Sequence, residues 1–219
     1  MQDHFVYLHH KDGHRVRVHV RTIPHHDSKG KVDGAIEVFS EVTEKNLYFE
    51  ELIVREALMY IDSLTDTFNR HYLNIEVPKL IKKANDPFVG VAFFDIDKFK
   101  AFNDTYGHKL GDLVLEQVSK SVHKNIASRD SLIRYGGDEF VIILFADTEE
   151  EIERRIKKID MLVKATIIRH QGQEFNVAIS IGYTVLAKKE NLESAIERAD
   201  KAMYKAKKGN LGHPVFIKK

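Results

Sequence analysis

An uninterrupted apolar run at residues 89–94 constrains the fold more than any other feature of this sequence, because it ends abruptly in Asp95-Ile96-Asp97. A short apolar run of this kind is typical of a strand that is buried on both faces of a sheet. It is far too short to cross a bilayer. The two carboxylates that end it would place negative charge at one edge of the sheet, so we expect a functional site there.

Helix and strand patterns alternate along the chain after Leu64. Residues 132–135 and 139–145 are expected to form a hairpin around Gly136-Gly137. Hairpins mixed with helical crossovers indicate an α+β fold rather than a doubly wound parallel sheet. The full prediction is helices over 69–84, 110–126, 149–163 and 192–208, and strands over 88–95, 132–135, 139–145, 166–170, 174–186 and 215–217.

The first 40 residues have the pattern of strands. Val16, Val18 and Val20 alternate with charged residues, as in a strand with one buried face. One strand should precede this one, and another should follow at residues 32–40. Three strands have too small a core to be stable alone. Either they pack on something else, or the chain holds only part of that domain.

Residues 41–62 change to a helical pattern, in which Leu47, Val54 and Ile61 are spaced by seven. This spacing is typical of a coiled-coil seam. The heptads are too few to distinguish a coiled coil from a single amphipathic helix that lies on a domain, and both interpretations stay open.

The composition excludes several classes of site and partner. The chain has 219 residues and no Cys, which rules out disulfide frameworks, iron–sulfur sites and Cys-based zinc sites or nucleophiles. Its formal net charge of +1 gives no general attraction to nucleic acid or to an anionic membrane. Since no signal-peptide pattern opens the chain, we expect a cytoplasmic protein with neither partner.

A second group of carboxylates follows the glycine turn, in the string Gly136-Gly137-Asp138-Glu139. The glycines permit the positive φ of a tight hairpin and leave room for a phosphate beside the backbone. If this hairpin pairs with the apolar strand, Asp138 and Glu139 lie beside Asp95. Carboxylates that meet in this way suit Mg²⁺ and two-metal phosphoryl transfer. A Gly-Gly-Asp turn taken alone is more often only a turn.

Polar residues between the two carboxylate groups are candidates for nucleotide binding. Lys98 and Lys100 could neutralise phosphates. Asn103 and Asp112 could read a purine edge, because a carboxylate accepts hydrogen bonds from the paired N1–H and N2–H₂ donors of guanine. A polar loop with helix-capping residues would have the same composition.

Five pieces of the sequence resemble, in order, the GGDEF domain of the diguanylate cyclase family. They are residues 62–70, 94–112, 136–140, 180–182 and 199–207. The resemblance implies a central sheet like that of nucleotide cyclases and the polymerase palm. It also implies a reaction that joins two GTP into cyclic di-GMP with loss of two pyrophosphates, in a homodimer whose two domains face each other.

The resemblance implies roles for individual residues as well. Asp138 and Glu139 would be catalytic together with Lys100, and Asp138 would accept the proton of the attacking 3′-hydroxyl. Two Mg²⁺ or Mn²⁺ ions per site would be held by Asp95, the Ile96 carbonyl, Asp138 and Glu139. The residues implied in GTP binding are Phe99, Asn103, His108, Asp112 and Lys207.

The sequence departs from the family pattern at two places. The Arg that usually follows the Lys207 position is absent from the string Lys208-Gly209-Asn210-Leu211. The Arg-x-x-Asp motif that binds the product in many members is degenerate, since Ala127 replaces the Arg while Asp130 is retained. We therefore expect weak product inhibition.

The N-terminal strands resemble the closing hairpins of a PAS sensor domain, so regulation by a sensor module is expected. The predicted domains are a partial PAS-like segment at 1–41, a linker helix at 42–62 and a GGDEF domain at 63–219. Two alternatives to an active cyclase remain. One is a GTP-binding regulatory module without turnover. The missing Arg favours it, and the complete set of Asp95, Lys100, Asp138 and Glu139 argues against it. The other is a cyclase with a mixed guanine–adenine product, against which Asp112 counts.

Overall fold

The structure is a computed structural model that describes residues 2–26, 32–41 and 59–218. The chain divides into two compact units, Met1–Leu58 and Met59–Lys219. The second unit thus begins slightly before the boundary expected at residue 63.

The described part of the first unit is a three-stranded antiparallel sheet with the long middle strand in its centre. Val18 and Val20 are 6% and 4% exposed, which confirms the inward face predicted from their alternation. The strands are β1 (Gln2–His9), β2 (Arg15–His26) and β3 (Val32–Glu41).

The helix predicted over residues 41–62 lies mostly outside the described residues. Leu47 and Val54 are both outside them. At its two ends the prediction is wrong. Glu41 ends β3, whereas residues 59 and 60 form a turn and Ile61 makes an isolated bridge with Phe68. The chain turns here because the Asp62 N–H donates to the Thr67 carbonyl at 2.8 Å.

The second unit is built on a six-stranded mixed sheet. Its strands are β4 (Phe68–Asn69), β5 (Phe88–Ile96), β6 (Ser131–Gly136), β7 (Glu139–Ala146), β10 (Ile179–Val185) and β11 (Val215–Phe216). Their order across the sheet is β11-β10-β5-β7-β6-β4. The four central strands pair antiparallel, and the short edge strands β4 and β11 pair parallel to their neighbours. A separate hairpin consists of β8 (Ile167–His170) and β9 (Gln173–Asn176).

Helices cover both faces of this sheet, which confirms the α+β prediction. They are α1 (Arg70–Ile75), α2 (Val77–Lys83), α3 (Phe99–Tyr106), α4 (His108–His123), α5 (Glu149–Lys164) and α6 (Leu192–Gly209). The central strand β5 is buried on both sides, so that Ala92 and Phe94 join the core under α4 and α5, while Val91 and Phe93 join the core under α1, α2 and α6. The apolar run is buried because both its faces are covered.

The structure corrects three predicted elements. The single helix over 69–84 is two helices, because Pro78 at the start of α2 has no N–H for a continuing helix. The strand over 174–186 is interrupted between β9 and β10. The stretch that could have been a polar loop contains α3, whose Phe99 and Phe102 pack against the core. No helix among the described residues is both long and apolar enough to span a membrane.

Candidate active site

The carboxylates of β5 and β7 meet at one end of the sheet. Asp95 lies directly opposite Glu139 in the antiparallel register, and the Ile96 N–H donates to the carbonyl of Asp138 at 3.3 Å. This confirms the convergence expected if the two strands paired. The Asp97 carboxylate, two residues further along the chain than Asp95, accepts a hydrogen bond from the Ser180 hydroxyl at 2.6 Å.

Lys207 reaches into this group from the last turn of α6. Its Nζ donates to Asp95 Oδ1 at 2.6 Å. The two side chains differ in exposure, at 10% for Asp95 and 44% for Lys207. The resemblance assigned Lys207 to substrate phosphates, whereas its partner in the structure is a carboxylate.

Gly182 allows α6 to lie close enough for this contact. A Cβ at residue 182 would stand 2.0 Å from the backbone N of Met203, and neither backbone could yield. Gly182 on β10 therefore brings α6, and with it Lys207, against the sheet. Sequence reasoning used this glycine only as part of a motif, and the pattern gave no reason for it.

The charges of the carboxylates act on one another. Burial raises the pKa of Asp95, and the nearby charges of Asp138 and Asp97 raise it further, which outweighs the opposing hydrogen bond from Lys207. The pKa of Glu139 is also raised, first by burial and then by the charges of Asp95 and Asp138. The group therefore holds more negative charge than the ammonium of Lys207 balances.

This donor set fits a hard divalent cation. Carboxylate and carbonyl oxygens are the ligands that Mg²⁺ prefers, and a dication would relieve the repulsion that raises the pKa of Asp95 and Glu139. Within the described residues, no three acidic or histidine side chains stand close enough to hold an ion.

The glycine turn beside the carboxylates is open. Gly137 has φ +55°, and no atom lies within 4 Å of a Cβ built at either Gly136 or Gly137. This is the space that the sequence predicts for a phosphate. Arg134 fixes the turn, since its Nε and Nη2 donate to the Gly137 carbonyl at 3.0 and 2.9 Å.

The candidate nucleobase residues lie on α3 and α4. Asn103 Oδ1 is buried, has no hydrogen-bond partner, and stands 1.8 Å from where a Cβ of residue 111 would be. Gly111 thus leaves the space that the Asn103 carboxamide fills, a role that sequence reasoning missed. The remaining predicted residues on these helices are exposed or partly buried, and are Phe99, Lys100, His108 and Asp112.

The degenerate product motif has Ala127 at the surface and its retained Asp130 in the interior. Ala127 is exposed. The Asp130 side chain is fully buried and accepts hydrogen bonds from Ala127 N at 2.6 Å, from Phe145 N at 3.0 Å and from Arg155. Arg129 pairs with Asp86 at 2.7 Å. Asp130 therefore acts as a structural anchor of this loop.

A comparison with known protein families decides the relationship. A sequence model of the family described as "Diguanylate cyclase, GGDEF domain" matches residues 59–212. The chain belongs to this GGDEF domain family. The matched range coincides with the second compact unit, and it includes the carboxylates and Lys207.

Relatives with named functions share the GGDEF domain with this chain. "Diguanylate cyclase DosC" of Escherichia coli K12 is 37% identical over 163 residues, which are 73% of this chain and 35% of that protein. "Diguanylate cyclase DgcZ" of the same strain is 31% identical over 185 residues, 84% of this chain and 61% of that protein. The chain therefore spans about a third of DosC and about three fifths of DgcZ.

A solved structure of the coiled coil and GGDEF domain of DgcB from Caulobacter crescentus, in complex with c-di-GMP, matches with a TM-score of 0.73. Its sequence is 26% identical, and the match covers 80% of this chain and 94% of that one. The diguanylate cyclase SiaD from Pseudomonas aeruginosa, solved with its activator SiaC, matches with a TM-score of 0.67 at 25% identity, over 79% of this chain and 69% of that one. The GGDEF fold is thereby shown.

Proposed function

We propose that this chain is a diguanylate cyclase, which condenses two GTP into cyclic di-GMP and releases two pyrophosphates. The observation that carries the proposal is the meeting of Asp95 and Glu139 across β5 and β7, beside the open turn of Gly136 and Gly137, in a member of the GGDEF family. Phosphoryl transfer needs negative oxygens near a cation and room for the triphosphate, and this end of the sheet supplies both.

Asp95, the Ile96 carbonyl, Asp138 and Glu139 would hold Mg²⁺ or Mn²⁺, two ions per site. A bound divalent ion stabilises the negative charge on the transferring phosphoryl group.

The protein's own side chains orient and activate the substrates. The 3′-oxygen of one GTP forms a bond to the α-phosphorus of the other while the bond to pyrophosphate breaks. Asp138 takes the proton of the 3′-hydroxyl, and Lys100 stabilises the charge that develops on the phosphoryl oxygens. The triphosphate lies along the Gly136-Gly137 turn, where the backbone leaves open space.

The guanine is bound between α3 and α4. The buried and unpartnered Asn103 Oδ1 supports this placement, because a buried acceptor without a partner is costly unless a ligand satisfies it. Asp112 accepts from the N1–H and N2–H₂ donors of guanine, with Phe99 and His108 completing the site.

Turnover needs two domains, since each binds one GTP and the product contains two. Bringing two bound substrates together in C2 symmetry makes the reaction effectively intramolecular. Residues 42–58, the part of the predicted linker that precedes the second compact unit, would pair the subunits. The segment at 1–41, which resembles part of a PAS domain, would regulate the enzyme at 63–219.

A regulatory GTP-binding module without turnover is the second candidate. It is favoured by Leu211, which stands near the place of the missing phosphate-binding Arg and is exposed at the end of α6. One experiment separates the candidates: purified protein is incubated with Mg²⁺ and GTP, with and without ATP, and the products are identified by mass spectrometry. Cyclic di-GMP supports the proposal, bound but unchanged GTP supports the module, and a guanine–adenine product overturns the assigned specificity.

A further inference from the structure

Lys207 and Asp95 form the closest charge contact of the candidate site. The two residues are 112 positions apart in the chain, and the distance from Nζ to Oδ1 is 2.6 Å. The carboxylate is buried at the end of β5, whereas the lysine side chain is nearly half exposed. The carboxylate is therefore fixed, and the ammonium is free to move towards solvent or towards a ligand.

The backbone that carries Lys207 is held firmly. Ala199, Ala202 and Ala206 are buried along α6, and Gly182 allows the helix to touch β10 without an intervening side chain. Only the flexible lysine stem can therefore change the distance between the two charges.

The proposed function makes two demands on this pair that conflict. Asp95 has to offer an oxygen to a divalent cation at about 2.0–2.1 Å, while Lys207 has to reach the triphosphate. A metal ion on either oxygen of the Asp95 carboxylate would lie close to the ammonium that donates to Oδ1 at 2.6 Å, and the two cations would repel each other at that range.

We propose that Lys207 and the divalent cation compete for Asp95, so that cation binding releases Lys207 to the phosphates of GTP. This inference rests on the proposed function and adds an order of events to it. Because coupling between two ligands is reciprocal, GTP that captures Lys207 also frees Asp95 and strengthens cation binding. The site would then assemble its metal only together with its nucleotide.

The test measures Mn²⁺ binding to the full chain without nucleotide, by electron paramagnetic resonance of the free ion. Lys207→Met keeps the length of the stem and removes the charge. Lys205→Met is the matched control, because Lys205 is an exposed lysine of the same helix and its substitution removes the same charge. Lys207→Arg keeps a cation that can still pair with Asp95.

Competition predicts that Lys207→Met binds Mn²⁺ about ten-fold more tightly than the wild type, within the usual range of coupling between sites. Lys205→Met should stay within about two-fold, because solvent and salt screen a charge that is not in contact. Lys207→Arg should also stay within about two-fold, because its guanidinium can still pair with Asp95. Equal or weaker binding by Lys207→Met, or an equal gain in Lys205→Met, overturns the inference.

A second measurement adds a GTP analogue with a methylene group between the α- and β-phosphorus atoms, which cannot release pyrophosphate. It should strengthen Mn²⁺ binding more in the wild type than in Lys207→Met, where no lysine is left to release. Equal strengthening in both contradicts the release step. A wild type that binds no Mn²⁺ even with the analogue overturns both this inference and the proposed metal site, whereas normal binding without a difference between variants overturns the inference alone.

Discussion

Arg134 and Asp62 form an ion pair across 72 residues of sequence, with 3.1 Å between Nη1 and Oδ1. The same guanidinium donates two hydrogen bonds to the Gly137 carbonyl. The turn at the start of the GGDEF unit is thereby joined through one side chain to the glycine turn of the candidate active site. A disturbance at Asp62 would reach the carboxylates by this route.

Replacing Asp62 should destabilise the GGDEF unit in a pH-dependent way. Burial pushes the pKa of Asp62 upwards, but hydrogen bonds from Thr65 and Arg134 outweigh it, and the pKa is lower than the usual 3.8. A lowered pKa contributes stability above about pH 4, and this contribution is lost as the pH falls through the pKa of the folded state.

Asp62→Asn should therefore lower the free energy of unfolding at pH 7 by about 1–3 kcal/mol, and the difference from wild type should shrink below about pH 4. Urea unfolding at several pH values measures both. Asp66→Asn is the control, since Asp66 is exposed in the same turn and Asn tolerates its positive φ. A deficit that stays constant down to pH 3 would contradict the assignment to the Asp62 charge.

Gly111→Ala should weaken GTP binding. The new Cβ would displace the Asn103 carboxamide, whose Oδ1 lies 1.8 Å from that position. We expect KM for GTP to rise by about ten-fold with a smaller change in kcat, the size of one lost hydrogen bond to the base.

The control for Gly111→Ala is Lys109→Ala, an exposed position of the same helix. If Gly111 acts only by leaving space for the Asn103 carboxamide, Gly111→Ala should raise KM little further in an Asn103→Ala background. Additive losses would show that Gly111 acts elsewhere.

Product inhibition should be weak. Ala127 offers no guanidinium, and Asp130 is enclosed by Ala127 N, Phe145 N and Arg155. The loss of a bidentate Arg contact costs about 1–3 kcal/mol, or roughly ten- to a hundred-fold in affinity. Titration of the purified enzyme with cyclic di-GMP, beside Ala127→Arg, measures the effect. Potent inhibition of the wild type, unchanged in Ala127→Arg, would contradict the prediction of weak product inhibition. If Arg129→Ala then abolished that inhibition, Arg129 would be identified as the residue that takes the place of the missing Arg.

Val54→Glu should lower specific activity most at dilute protein, because a charge in the predicted seam of Leu47 and Val54 opposes pairing of the linkers. Ile61, the third residue of the predicted seam, makes a β-bridge instead. Val54 and Leu47 lie outside the described residues, so this prediction rests on the heptad spacing alone. Activity proportional to concentration, in a species that light scattering shows to be monomeric, would refute it.

The parts of the site that follow from local pattern were predictable. The apolar run that ends in Asp95 specified the central strand, and the glycine turn specified the hairpin that places Glu139 opposite it. Helix α3 was missed because polar residues between its aromatic side chains resemble a loop, although Phe99, Phe102 and Tyr106 follow helical spacing.

The parts that depend on contacts distant in sequence were not predictable. Lys207 meets Asp95 only because Gly182 lets α6 approach β10, and no periodicity encodes that approach. The burial of Asp130 depends on Arg155 of α5. A residue of a ligand-binding motif, such as Asp130, can thus be retained in the sequence and yet serve only to hold a loop in place.

Cyclic di-GMP formation by Asp138→Ala tests the central claim most directly. The initial rate with Mg²⁺ and GTP is measured for wild type, for Asp138→Ala and for Asp147→Ala, an exposed carboxylate just beyond the opposite end of β7. Circular dichroism confirms that the variants are folded. Removing a metal ligand that also accepts the proton of the 3′-hydroxyl should lower the rate about a hundred-fold or more, while Asp147→Ala keeps wild-type activity. Near-normal turnover by a folded Asp138→Ala would contradict the account.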